Sequence, residues 1–178
     1  MVDNIPSVPS DGNIATWLVP AIADPKNPTA TELAAASIVD ISCYLTKDGF
    51  AMTTEQASIP DERLCSTQVY NQPGTKTYGL TLTGIDNTNA TDGATPTPAA
   101  LPNDLVDTLV EGVEQFLVRR RGVPFDTPVA ADQKVTVIPF KPGVKQDVAA
   151  ESNSVTRSTW TNFVTGDVEV EVAVVAGS

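Results

Sequence analysis

Glu169 and Glu171 are the residues in this sequence best spaced for catalysis, because the chain contains no histidine. That absence removes the usual general base, the triads built around it and the commonest zinc ligand. Two distant cysteines, Cys43 and Cys65, do not make a zinc site, and neither a Gly-rich phosphate loop nor a Ser-x-x-Lys pair is present. Two positions apart on a strand, Glu169 and Glu171 would project from one face about 6.5 to 7 Å apart, a separation a glycosidase pair tolerates. Their neighbours favour a plainer reading. In Val168-Glu169-Val170-Glu171-Val172 the valines mark a core face, which makes the glutamates a solvated outer face. The sequence therefore assigns no catalytic residue, no cofactor-binding residue and no metal ligand, and the chain reads as a non-enzyme.

Two further clusters have binding potential. Asp86-Asn87-Thr88-Asn89-Ala90-Thr91-Asp92-Gly93 is rich in oxygen ligands but lacks the alternating acids and closing Glu of a calcium loop, so turn chemistry explains it better. Arg119, Arg120 and Arg121 are the only dense basic patch. On a strand, Arg119 and Arg121 point one way and Arg120 the other, which rules out a single phosphate cradle. They are candidates for salt bridges, either within the chain or to carboxylates of a neighbouring subunit. Cys43 and Cys65 are expected as buried free thiols, with a bridge between them the minority alternative.

The elements that must position these groups are mostly strands. Thr77-Tyr78-Gly79-Leu80-Thr81-Leu82-Thr83 puts Tyr78, Leu80 and Leu82 on one face, the period of a half-buried strand. Strands are also predicted at Ile14 to Val19, ended by Pro20, at Ile38 to Ile41, around Phe116-Leu117-Val118, and at Val135 to Ile138, stopped by Pro139. A closing hairpin is predicted from Val155 to Phe163 and Val168 to Val175, joined at Thr165-Gly166-Asp167. Ala30 to Ala36 has the composition of a short helix, and Leu105, Leu109, Val110 and Val113 recur at helical spacing after a cap at Asn103 or Asp104. The expected fold is a mainly β, antiparallel sandwich or barrel with one flanking helix, in a single domain over 1–178. An extended N-terminal arm covers 1–13. Long loops are expected near 46–60, as a protruding hairpin or loop, and near 86–103, where Pro96, Pro98 and Pro102 deny regular structure.

The composition sets outer bounds. At 178 residues, with 41% hydrophobic residues, the chain can bury a core without disulfide or metal staples. No run approaches the ~20 apolar residues of a membrane helix. Met1 to Pro6 lacks the basic and apolar regions of a signal peptide, which points to synthesis in a cytoplasm. Eleven Lys and Arg against 22 Asp and Glu give a formal charge of -11, a surface that repels phosphate.

The blocks Ser42-Cys43-Tyr44-Leu45-Thr46-Lys47-Asp48-Gly49-Phe50 and Asp61-Glu62-Arg63-Leu64-Cys65-Ser66 belong to a wider pattern. Together with Tyr70-Asn71-Gln72-Pro73-Gly74, Val118-Arg119-Arg120-Arg121-Gly122-Val123-Pro124 and Phe163-Val164-Thr165-Gly166-Asp167-Val168, they resemble the major tail tube proteins of long-tailed phages infecting actinobacteria. The resemblance covers nearly the whole chain and rests on the order of ordinary strand and turn residues. It implies a structural virion protein, assembled in the host cytoplasm, whose hexameric rings stack into the tail tube. It also implies a tape-measure protein inside the tube, initiator and terminator proteins at its ends, and DNA passing without specific binding. An acidic lumen would suit that passage, since phosphate contacts would slow it. Thr46, Lys47, Asp48, Gly49, Thr53, Thr54, Glu55 and Gln56 are the candidate contact between rings. The competing reading is a β-sandwich adhesion module on a virion or cell surface. Such a module wants exposed aromatic platforms, and Trp17 and Trp160 sit inside alternating strands instead.

Overall fold

The computed structural model describes residues 6–93 and 99–177. The expected mainly β, antiparallel fold is what forms. Nine strands make one antiparallel sheet: β1 Ile14–Val19, β2 Val39–Asp40, β3 Leu45–Asp61, β4 Tyr70–Ile85, β5 Gln115–Arg121, β6 Lys134–Lys141, β7 Lys145–Asp147, β8 Arg157–Val164 and β9 Glu169–Ala173. Their order is β2-β1-β5-β6-β8-β4-β3, with β7 added to β8 and β9 to β6.

The central strands are buried on both faces, as their near-continuous apolar runs require. Trp17 pairs with Val118, which pairs with Val137, and these three join Ala15, Val19, Leu33 and Val174 in one core. Leu18, Leu117 and Ile138, one residue along in each strand, face the opposite core with Leu80, Leu82, Phe140 and Trp160. The alternation predicted for β4 holds: Leu80 and Leu82 are buried, and Gly79 between Tyr78 and Leu80 is exposed. Both tryptophans are buried.

Both helices shrink. Ala30 to Ala36 forms only a 3-10 turn, Glu32–Ala34, because Leu33 is its one buried side chain and alanines alone do not hold so short a helix. The turn is held by reciprocal capping instead: the Glu32 N–H donates to Thr29 Oγ1 at 3.1 Å, and Glu32 Oε2 accepts from the Thr29 N–H at 3.0 Å. The second helix, α1, covers only Asp104–Thr108. Leu105 and Leu109 are buried, but Val110 and Val113 are 53% and 51% exposed. The helical spacing holds for one turn before Gly112, at φ 74°, redirects the chain and donates its N–H to the Pro142 carbonyl at 2.9 Å. Leu105 seats against Gly84, where any Cβ would collide with it.

The predicted closing hairpin does not form. β8 and β9 do not pair with each other; they lie end to end along the same edge of β6. Phe163 and Val164 sit beside Lys141 and Phe140, then Glu169 beside Val137 and Ala173 beside Lys134. Thr165 to Val168 is therefore a break in one long strand, not a reversal. Pro139 does not stop β6 for the same reason. Its carbonyl accepts from the Thr165 N–H at 3.0 Å, so its nitrogen faces the same break, where no ladder donor is needed.

β9 also loses its alternation. Glu171 adopts φ 55°, and the ladder with β6 shifts between Val135 and Val137. Val170, expected in the core, is 60% exposed as a result. Val170→Asp should then leave the protein soluble and shift its urea midpoint by no more than the equivalent of about 0.5 kcal/mol. Insoluble protein would return Val170 to the core.

Candidate assembly surfaces

The segment 46–60, expected as a protruding loop or hairpin, is strand. β3 and β4 pair from Phe50 and Leu82 out to Asp61 and Tyr70, whereas β8 covers β4 only as far as Gly79. Beyond Gly79 the two strands stand alone as a ribbon, and almost every residue on both faces is exposed. The reach is about 27 Å, for eight or nine residues at about 3.3 Å each. Alternating Thr, Gln, Ser and Lys side chains explain why neither face was legible as a strand: period-2 patterning needs a buried side, and this ribbon has none. Its tip is apolar, with Ile59, Leu64, Val69 and Tyr70 all exposed.

The eight candidate contact residues divide. Thr54, Glu55 and Gln56 lie on the free ribbon, paired with Tyr78, Thr77 and Lys76, and Thr53, opposite Gly79, lies at its base. Thr46, Lys47, Asp48 and Gly49 bulge from the ladder at its root, between Leu45 and Phe50. Gly49 is required there, since a Cβ would fall on the Thr83 carbonyl oxygen. Lys47 pairs with Asp11 of the N-terminal arm at 3.3 Å. Residues 1–5 of that arm, and 94–98 of the 86–103 connection with Pro96 and Pro98, lie outside the described residues.

The three arginines have three different fates. Arg121 is exposed and pairs with Glu171 of its own chain at 3.0 Å, a surface bridge worth about 1 kcal/mol or less. Arg120 is fully buried, so its candidacy for a salt bridge between subunits is corrected. Its Nη1 donates to Gln133 Oε1 at 2.8 Å and to the Pro128 carbonyl at 3.3 Å. Its Nη2 donates to the carbonyls of Pro124 and Thr127 at 2.9 and 2.7 Å. The guanidinium lies 5.2 Å from the centre of the Trp17 ring. Burial pushes its pKa down, partly opposed by the charge of Asp40. Arg119 is half-buried on the opposite face, its guanidinium 3.9 Å over the Phe50 ring.

Asp86 organises the oxygen-rich loop. Its carboxylate accepts from Lys145 at 2.5 Å, from Ser158 Oγ at 2.6 Å and from Thr88 Oγ1 at 2.6 Å. Burial pushes its pKa up, but these donors outweigh burial and hold it far below the usual carboxylate range. A carboxylate saturated by donors of its own chain explains the loop as turn chemistry, not as a cation site. Asn103 occupies the N-cap position of α1, its carbonyl accepting from the Asp107 N–H at 3.0 Å, but its side chain makes no cap bond; the side-chain oxygen accepts instead from the Asn87 N–H at 3.0 Å, which closes the base of the connection.

Glu169 is partly buried and Glu171 exposed, and the positive φ at Glu171 takes them off the common pleat expected of a strand pair. Cys43 and Cys65 are both free thiols, and both are exposed, not buried. Burial of Trp17 and Trp160 removes them as sugar platforms. Among the described residues no helix is long and apolar enough to cross a membrane.

The described residues thus form a doubly packed β scaffold that carries an uncovered two-stranded ribbon with an apolar tip. The sequence matches the phage tail tube protein family over residues 1–177, and the chain belongs to that family. It is a structural component of a virion tail. No curated protein sequence matches it significantly.

Proposed function

We propose that this chain closes into rings, six subunits each as the resemblance implies, which stack into the tail tube and conduct phage DNA to the host. The observation that carries this reading is the ribbon. An isolated two-stranded hairpin is marginally stable in water, so one exposed on both faces with an apolar tip wants a surface from elsewhere. Stacking one ring on the next is an open-ended, heterologous contact, which needs such a surface. The formal charge of -11 suits a wall that must not hold DNA, with Glu169 and Glu171 as candidate lining residues. A tape-measure protein within the tube, initiator and terminator proteins at its ends and assembly in the host cytoplasm complete the reading.

Electron microscopy of concentrated protein tests it. The intact chain should give hollow filaments of uniform width. A variant in which Thr53 is joined to its partner Gly79 through a two-residue Asn-Gly turn should remain folded, because the excised residues cover no core, and should form no filaments. Filaments of full length from the shortened chain would refute the role given to the ribbon.

A further inference from the structure

The cleft at the root of the ribbon, about 500 Å³ in volume, is walled by Ile14, Leu45 and Phe50 and floored by Arg119, with the arm residues Ser10 to Gly12 at its rim. Arg119 is the unusual group in it. Among the described residues its guanidinium meets no carboxylate and no carbonyl; it lies 3.9 Å from the centre of the Phe50 ring, and its Nε is buried without an acceptor. Burial, then the nearby charge of Arg121, push its pKa down; the one carboxylate lining the cleft, that of Asp11, lies 3.3 Å from Lys47 and not on Arg119. A half-buried guanidinium seated against an aromatic ring, with no carboxylate on its fork, offers a carboxylate two parallel N–H donors.

The other end of the ribbon offers one. Asp61 is already spent on Arg63 at 2.7 Å, but Glu62 beside it is exposed and makes no ion pair among the described residues. Leu64, two residues on, is wholly exposed and suits the apolar walls. Glu62 and Phe50 are separated by 12 residues of extended chain, so a single copy does not bring tip and cleft together.

We propose that the root cleft seats the ribbon tip of a second copy of this chain, with Arg119 receiving that copy's Glu62 carboxylate and the apolar wall its Leu64. This rests on the stacking reading above and supplies the acceptor it lacks. Tip and cleft are different surfaces on one molecule, so each seated copy presents a fresh tip, and the contact propagates as an open series wherever its rotation does not close a ring. The axial repeat cannot exceed about 40 Å, the length of twelve extended residues at about 3.3 Å.

The test is a charge exchange scored by the lowest protein concentration that yields filaments. Glu62→Arg, at an exposed tip, leaves the fold intact. It should raise that concentration about tenfold or more, because like charges opposed at an interface cost several kcal/mol. Arg119→Glu should do the same, with Arg119→Gln as a milder form should the reversal unfold by circular dichroism. Glu62→Arg and Arg119→Glu subunits mixed together should assemble again, each tip finding an opposite charge. Singles that assemble like the intact chain, a mixture that does not recover, or an axial repeat well above 40 Å would each overturn the proposal. Loss of assembly on removing residues 1–5, with no recovery in the charge-exchanged mixture, would assign the cleft to the chain's own arm. An intact chain that forms no filaments at all would instead strike the stacking reading.

Discussion

Arg120→Ala is expected to cost about 4 kcal/mol of folding stability, the largest loss of any single change considered, although it touches no surface. Residues 122–133, between β5 and β6, contain no regular structure, and the Arg120 guanidinium is what they fold around. It satisfies the carbonyls of Pro124, Thr127 and Pro128 and the side chain of Gln133 at once. Alanine would leave the carbonyls of Thr127 and Pro128 without donors, would reduce the Pro124 carbonyl and Gln133 Oε1 to the N–H groups of Thr127 and Ala130, and would open a cavity beside Trp17. Arg120→Lys should recover part of the loss, since one ammonium cannot reproduce the fork. Arg120→Met should recover packing but not the acceptors. Urea denaturation gives the magnitudes, and hydrogen exchange should show the loss concentrated in residues 122–133. An alanine variant within about 1 kcal/mol of the intact protein would mean that the loop is held by something else.

Asp86→Ala should follow, at about 3 kcal/mol, because it strands Lys145 and the Ser158 hydroxyl where their partner is buried. The pH dependence has a definite sign. The folded pKa of Asp86 lies far below its unfolded value of about 3.9, so its contribution is complete above about pH 5 and is lost as pH falls below about 4. The stability gap between intact and Asp86→Ala protein should therefore be widest at neutral pH and shrink in acid. A gap that grew on acidification would reverse the assignment.

The sequence by itself determined the material of this protein. The alternation in β4, the apolar runs of β1, β5 and β6 and the missing histidine place it among β-rich structural proteins, and its ordered blocks carry the tail tube resemblance over almost its full length. Those features are local, and local patterning reports which residues want burial.

Tertiary structure decided which partner each residue met. Arg119, Arg120 and Arg121 are identical in sequence terms. Only the pleat of β5, with an open cleft on one side and the loop 122–133 on the other, leaves one against Phe50 with no ion pair among the described residues, one buried and one in a surface ion pair. The hairpin expected at Thr165-Gly166-Asp167 failed because a turn signal does not reveal that β6 offers two successive stretches of edge to the same passing strand. Val170 left the core because one positive φ at Glu171 shifts the strand's faces, a choice invisible in Val168-Glu169-Val170-Glu171-Val172. The ribbon was hidden for the opposite reason. With no buried face it carries no periodicity, and its strand character comes entirely from pairing between β3 and β4.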